Sequence, residues 1–254
     1  MFLCVLCGDK LMSVAQNIAG VQERIEEAAR RAGRRPEDTT LMAVSKTFPA
    51  ELIREAYSAG LRTFGENRVQ EFASKTEALR DLAGAQWHLI GHLQTNKAAK
   101  AAELFHVVDS VDSVRLAEKL NAAAEKLQKK VAVLIEVNVG GEEAKSGVDP
   151  DSAELDDLLT SAQQWTHLEF QGFMTIPPFT HHPEGSRPYF RKVRMLRDQI
   201  AGRKLPAVGT DVLSMGMSHD FPVAIEEGST CVRVGTAIFG VRQSISTESA
   251  ENAH

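Results

Sequence analysis

The 254-residue sequence lacks most of the marks of a specialised class. Cysteine is scarce: Cys4, Cys7 and Cys231 are too few for a disulfide framework, and an odd count fits a reducing compartment, so a cytoplasmic location is expected. Cys4 and Cys7 form one C-x-x-C pair with no second pair to complete a metal site, in an opening stretch, MFLCVLCGDK, that reads as a non-core extension over 1–11. That stretch has no positive charge before its short apolar run, and no other run is long enough for a membrane span, so neither a signal peptide nor a membrane partner is expected. There is no basic block either. With 29 Lys and Arg against 34 Asp and Glu, and a net charge of -5, a general nucleic-acid binder is excluded. Missing too are a glycine-rich fingerprint after the first strand pattern and any linker, which argues against an open dinucleotide-binding sheet and against two domains.

What is present is an ordinary core-forming composition, 43% hydrophobic and 25% charged. Val14, Ile18, Val21, Ile25 and Ala28 recur at spacings of three and four, which predicts an amphipathic helix closed by Gly33. Strand-like runs then appear at 40–45, 61–64, 86–90, 105–109, 131–139, 168–174, 211–215 and 231–234, with helical patterns between them. The run at 131–139, VAVLIEVNV, does not alternate strictly, as expected of a parallel strand buried on both faces. Eight strand–helix units in this length predict a single α/β domain, a (β/α)8 TIM barrel over 12–242 with an extra N-terminal helix. The polar residues 243–254 are expected to be a disordered tail.

In such a barrel the chemistry lies where the strands end. The first run, LMAVSKTFP, ends on Lys46; the seventh and eighth lead into SMGMSHD and VRVGTAIFG. Ser214, Gly216 and Ser218, with Gly235 and Thr236, offer hydroxyls and open backbone N–H groups where helices begin, which is an anion cradle after strands 7 and 8. Closure sets strand 1 beside strand 8, so the Lys46 amine would stand next to a bound phosphate. A partly desolvated lysine there is a nucleophile toward an aldehyde. Pyridoxal 5′-phosphate satisfies both ends, and so does the sugar phosphate of a Schiff-base aldolase.

Seven motifs in order, AVSKT, FGENRVQE, WHLIGHLQTNK, VDSVDS, EVNVGGEEAKSG, GFMTIPP and SMGMSHDFPVAIEEGSTCVRVGTAIFG, resemble the pyridoxal phosphate homeostasis protein family, whose barrel is similar to the N-terminal domain of alanine racemase, the type III fold of pyridoxal-phosphate proteins. The resemblance implies that Lys46 carries pyridoxal 5′-phosphate as a Schiff base. It places the phosphate on Ser218, Gly235 and Thr236, with Ser214 beside them, sets Arg233 against the pyridine nitrogen, and puts Asn67 and Met217 near the ring. A guanidinium keeps its proton, so it donates to an unprotonated ring nitrogen and leaves a weak electron sink. Racemases of the related fold use a tyrosine as second base, yet Tyr57 and Tyr189 fall in helical patterns away from strand ends. The resemblance therefore implies a monomeric cofactor carrier and regulator of vitamin B6 and amino-acid balance, with apo-enzymes as partners, and sets a racemase using Lys46 as its base second.

Among other candidates, His88 within an apolar strand reads as a satisfied core histidine, and His92 at a strand end as a mouth or loop residue. Cys231 reads as a small buried hydrophobe. His167, His181, His182 and His219 lack ligand spacing, so no metal is expected. Lys97, Lys100 and Lys145 read first as a solvated face, and second as a basic rim able to attract phosphate or a second cofactor molecule.

Overall fold

The computed structural model describes residues 12–141 and 146–240, so the expected extension, the tail and Lys145 lie outside the described residues. The first helix, α1 (Val14–Arg31), starts where Ser13 and Gln16 close a reciprocal capping box. Its buried stripe, Val14, Ile18, Val21, Ile25, Ala28 and Ala29, includes the five positions predicted from spacing.

Eight strands follow: β1 (Thr40–Val44), β2 (Thr63–Glu66), β3 (Gln86–Leu89), β4 (Val107–Val111), β5 (Val131–Glu136), β6 (Leu168–Met174), β7 (Val208–Met217) and β8 (Cys231–Val234). They close into one parallel barrel in sequence order, the TIM-type architecture expected. β1 pairs with β8, Met42 opposite Arg233 and Ala43 opposite Val234. The helices between strands are α2 (Ala50–Ser58), α3 (Val69–Leu79), α4 (Ala98–Leu104), α5 (Val114–Lys126), α6 (Ala153–Ser161), α7 (Arg187–Arg203) and α8 (Phe221–Glu226), and a last short helix, α9 (Thr236–Phe239), follows β8. Among the described residues no helix is long and apolar enough to cross a membrane.

Alternation along the strands divides the apolar residues into two clusters. The large one lies between wall and helices and includes Ala43, Phe64, Leu89, Val108, Val133 and Phe173. The small one, Met42, Val44, Ile90 and Cys231, sits apart from it, inside the barrel. Gly65 makes room for it, because a Cβ there would stand 2.8 Å from Met42 Sδ and 3.2 Å from Ile90 Cδ1. Barrel interiors are usually filled by branched apolar side chains. Here buried charged and polar groups, among them Asp109, Ser214 and Arg233, share the interior with that small cluster, and the partly exposed His88 pairs with Asp109.

β1 and β3 each stop one residue short of their predicted runs, and four strands differ by two residues or more. β2 lies two residues later than 61–64, and β4 two residues later than 105–109, because Gly65, Glu66 and Ser110 are buried in the wall although their types suggest loops. β5 stops at Glu136, and Val137 then makes an isolated bridge to Val148. β7 runs over 208–217 rather than 211–215, with register shifts against both neighbours that let a long strand follow the curved wall.

The N-terminal helix braces the loops that matter most. Asn17 Nδ2 donates to Ile238 O at 2.8 Å, tying α1 to α9, and Arg34 Nη1 donates to Ile225 O and Ser229 O at 2.9 and 2.8 Å, fixing the end of α8. On its other side α8 is clamped to α7. The Glu227 carboxylate, its side chain only 4% exposed, meets Arg187, Arg191 and Arg194 at 3.2, 2.8 and 3.1 Å. Burial alone would raise its pKa, yet the hydrogen bonds from Arg191 and Arg187 hold it below the ordinary glutamate value. A depressed folded pKa means stability that is present above the unfolded value and lost as pH falls through the folded one. Glu227→Gln is accordingly expected to lower the unfolding free energy at pH 7 by about 2 kcal/mol. Denaturant titrations should show the gap to the wild type closing in acid; a gap independent of pH would remove the charge from this account.

Candidate cofactor site

At the carboxyl ends of the strands a cavity of about 290 Å³ is lined by Lys46, Asn67, Ser218, Arg233, Gly235 and Thr236, with Val44, Phe48, Ile90, Ile176 and Met217 as its apolar wall and His219 at its edge. Ligand pockets start at about 300 Å³, so one small cofactor is the natural size of occupant. Larger hollows lie along α7, about 460 Å³, and at the opposite end of the barrel, about 430 Å³. Neither unites an amine, a guanidinium and a pair of hydroxyls.

Lys46 reaches the cavity because the chain alternates past the end of β1. Val44 faces inward, and Ser45 turns outward to donate from Oγ to Glu66 Oε1 at 2.7 Å. Half-buried Lys46 then returns to the mouth. Thr47 follows with φ +67°, a left-handed conformation that costs a β-branched residue energy. The turn closes through Phe48 N–H to Ser45 O, 3.1 Å. Asn67 follows β2 and needs Gly91 beside it, since a Cβ on Gly91 would stand 2.3 Å from Asn67 O and 2.6 Å from its Oδ1.

The opposite side is assembled by β7 and β8. Gly216 has φ +92°, and any side chain there would meet Ala224 Cβ at 2.5 Å. Asp220, itself buried, accepts from Met217 N–H at 2.8 Å, which fixes the turn carrying Ser218. Gly235 N–H donates to Ser218 Oγ at 3.3 Å and joins the two loops. Ser218, Gly235 and Thr236 thus meet as the sequence suggests.

Arg233 is anchored from behind. Nη1 donates to Ser214 O and to Ser214 Oγ, and Nη2 to Thr175 O, each at 2.7 Å, so these bonds commit three of its five N–H donors. Burial lowers its pKa from the ordinary arginine value, while the charges of Asp109, Glu136 and Asp220 act in the opposite sense. Ser214 is fully buried and is not part of the cavity wall; it holds Arg233 instead of standing beside the other hydroxyls. Glu136 is buried at the end of β5, and burial, then the charge of Asp112, pushes its carboxyl up to about 7 against the pull of Arg233. Among the described residues, Glu136 Oε2 and Asp109 Oδ2 are buried oxygens without a hydrogen-bond partner.

The model described as "Alanine racemase, N-terminal domain" matches residues 17–243. A protein of Aquifex aeolicus named pyridoxal phosphate homeostasis protein is 47% identical over 232 residues, 91% of this chain and 100% of the relative. One of the same name from Escherichia coli K12 is 43% identical over 234 residues, covering 90% and 97% of the two chains. Among solved structures, PipY of Synechococcus elongatus with PLP bound aligns at a TM-score of 0.79 and 38% identity, over 90% of this chain and 100% of PipY. This chain belongs to the pyridoxal phosphate homeostasis protein family.

Family membership does not depend on the remaining candidates, which fall elsewhere. His88 Nδ1 meets Asp109 Oδ1 at 2.8 Å, the satisfied core histidine expected, and His92 lies 3.4 Å from Asp112, outside the cavity wall. Cys231 belongs to the interior apolar cluster, where burial pushes its thiol up to about 12. Among the described residues no three His, Cys, Asp or Glu side chains form a group that could hold a metal ion. Lys100 pairs with Glu103 at 2.7 Å on its own helix, away from the mouth. The Tyr57 hydroxyl donates to Ala83 O, and Tyr189 packs against the outer core; neither lines the cavity. Sequence reading missed Val44, Phe48, Ile90 and Ile176, apolar residues indistinguishable from core, and it gave His219 no place at the mouth.

A buried acid whose folded pKa is raised keeps its proton after the unfolded chain has lost it, so stability falls as pH rises between about 4.3 and 7. Glu136→Gln removes this penalty and is expected to stabilise the protein at pH 8 by on the order of 3 kcal/mol and to have little effect at pH 4. Chemical unfolding at the two pH values checks it; equal stability at pH 8 would mean that Glu136 is solvated or paired.

Proposed function

We propose that this protein holds pyridoxal 5′-phosphate as a Schiff base on Lys46 and acts as a monomeric cytoplasmic carrier in the supply of the cofactor to apo-enzymes, with amino-acid balance depending on that supply. The carrying observation is that one small cavity contains an amine, a deeply buried guanidinium and the Ser218–Gly235 hydroxyl-and-amide pair. Solved relative PipY, with PLP bound, supports the choice of aldehyde, and the names of the curated relatives support the homeostatic role. When bound, the cofactor supplies an aldehyde and an electron-withdrawing ring.

On this reading Lys46 is the covalent anchor, and Ser218, Gly235 and Thr236 bind the phosphate. Arg233 donates to the ring nitrogen with the N–H groups not used on Ser214 and Thr175. Asn67 and Met217 flank the ring, and Ser214 acts by aiming Arg233. A fixed guanidinium cannot hand a proton to the ring, so the site suits retention better than turnover. The racemase alternative needs a second base, and both tyrosines are engaged outside the cavity. A sugar-phosphate aldolase is not favoured by the family.

Lys46→Ala is expected to abolish the borohydride-fixed adduct with pyridoxal 5′-phosphate and to leave the far-ultraviolet circular dichroism unchanged, since little buried area is lost. Peptide mapping of the wild type should find the label on Lys46. Label retained by the variant would move the anchor to another amine. In heavy water, L-alanine incubated with the loaded wild type is expected to keep its α-proton; rapid exchange would establish the racemase-type alternative.

A further inference from the structure

Outside the barrel wall, behind the Lys46 turn, lies a charged cluster that the site described above does not use. Lys75, on α3, places its ammonium 2.8 Å from Glu71 Oε1, 3.2 and 3.3 Å from the two oxygens of Glu66, and 3.2 Å from Ser45 O. Its side chain is 12% exposed and that of Glu66 is fully buried. Glu71 Oε1 in turn accepts from Thr47 N–H, and Glu66 Oε1 from Ser45 Oγ. The residues immediately before and after Lys46 are therefore both gripped by carboxylates that share one ammonium.

Two features make that grip more than surface charge pairing. Thr47 is held at φ +67°, where a β-branched residue does not stay without outside constraint. The constraint is the Glu71 bond, and Lys75 fixes Glu71 one helical turn away. The second feature is direction. Ser45 and Glu66 face away from the cavity while Lys46 faces it, so force applied from behind the wall sets where the amine emerges. Burial raises the pKa of Glu66, and the Lys75 charge is the largest influence opposing that rise.

We propose that Lys75 is a positioning residue: from outside the barrel it locks Glu66 and Glu71 onto the Ser45–Phe48 turn and thereby aims the Lys46 amine at the carbonyl carbon of a phosphate-bearing aldehyde. This deepens the cofactor reading and rests on it for the identity of the aldehyde. Lys75 touches no ligand. Its effect passes through the two backbone groups that flank Lys46.

The test uses the full chain as wild type, Lys75→Met, Lys75→Arg and Glu71→Gln. Without cofactor, hydrogen exchange at the Thr47 amide is expected to quicken about tenfold or more in Lys75→Met, the loss that follows when charge-assisted bonds on the turn go. Exchange in β5 and β6 should not change. With pyridoxal 5′-phosphate, the rate of imine absorbance and of borohydride label on Lys46 is expected to fall about tenfold in Lys75→Met and to recover in Lys75→Arg, which keeps the cation. Should Lys75→Met fail to fold, Glu71→Gln, which retains a carbonyl acceptor, is expected to show a smaller loss of the same kind. Unchanged Thr47 exchange in the folded variants, or labelling that declines only as far as the melting temperature does, would overturn the proposal. A wild type that takes no label on Lys46 would instead sink the cofactor reading, while Thr47 exchange, measured without cofactor, still decides the role of Lys75.

Discussion

Everything at the mouth depends on the parallel pairing of β1 with β8. Lys46 and Thr236 are separated by most of the chain, and only closure of the barrel makes them neighbours. The approach is close: a Cβ on Gly235 would stand 3.3 Å from Val44 O, so the strand that delivers the amine and the loop that begins the anion cradle lie side by side. A contact of such sequence separation is slow to form because loop closure must precede its reward. The fold secures it from outside by laying α1 across α8 and α9, with Asn17 and Arg34 reaching main-chain carbonyls on the far side of the seam. The N-terminal helix is thus part of the site's scaffold rather than an appendage.

Polarity inside the barrel carries a folding cost. A buried arginine has to be bonded throughout, and Ser214 and Thr175 hold the inner edge of Arg233 while its outer side meets the cavity. Asp109 and Glu136 add carboxyl groups to the same low-dielectric space, and each leaves an oxygen without a partner among the described residues. Replacing such a set by apolar residues would commonly stabilise a barrel. On the proposed reading, a fixed donor facing a ring nitrogen matters more to this chain than the last increments of stability. The same fixed donor limits the chemistry, because an arginine supplies a hydrogen bond without supplying a proton.

Strand periodicity made the architecture legible, and strand ends made most of the site legible. The helix at 14–31, the eight strand positions and the barrel itself follow from patterns that depend on local sequence. What could not be read were residues whose burial is decided by partners far along the chain. Glu66 has the type of a loop residue and becomes a wall residue because Ser45 and Lys75 satisfy it. Ser214 has the type of a phosphate ligand and becomes a support because Arg233, on the neighbouring strand, claims both of its oxygens. The apolar lining, Val44, Phe48, Ile90 and Ile176, carries no chemical signal that separates it from core. Gly91 is conspicuous only once Asn67 is seen against it.

The two ends of the cavity are held by different physics. Around Ser218 and Gly235 the backbone is fixed by packing at contact distance: Gly216 against Ala224 and Phe221, and the buried Asp220 on Met217. Such an end is rigid and largely indifferent to ionic conditions. The amine end is a single turn with a strained threonine, kept in place by an ammonium shared between two carboxylates. Part of that cluster meets solvent, the Glu71 side chain being 25% exposed, so its hold weakens as salt screens it. A carrier has to keep its cargo's charged group seated while the covalent bond at the other end is made and unmade. On the proposed reading, an unyielding phosphate cradle opposite a half-buried lysine on an electrostatically tensioned turn divides those duties between separate parts of the barrel.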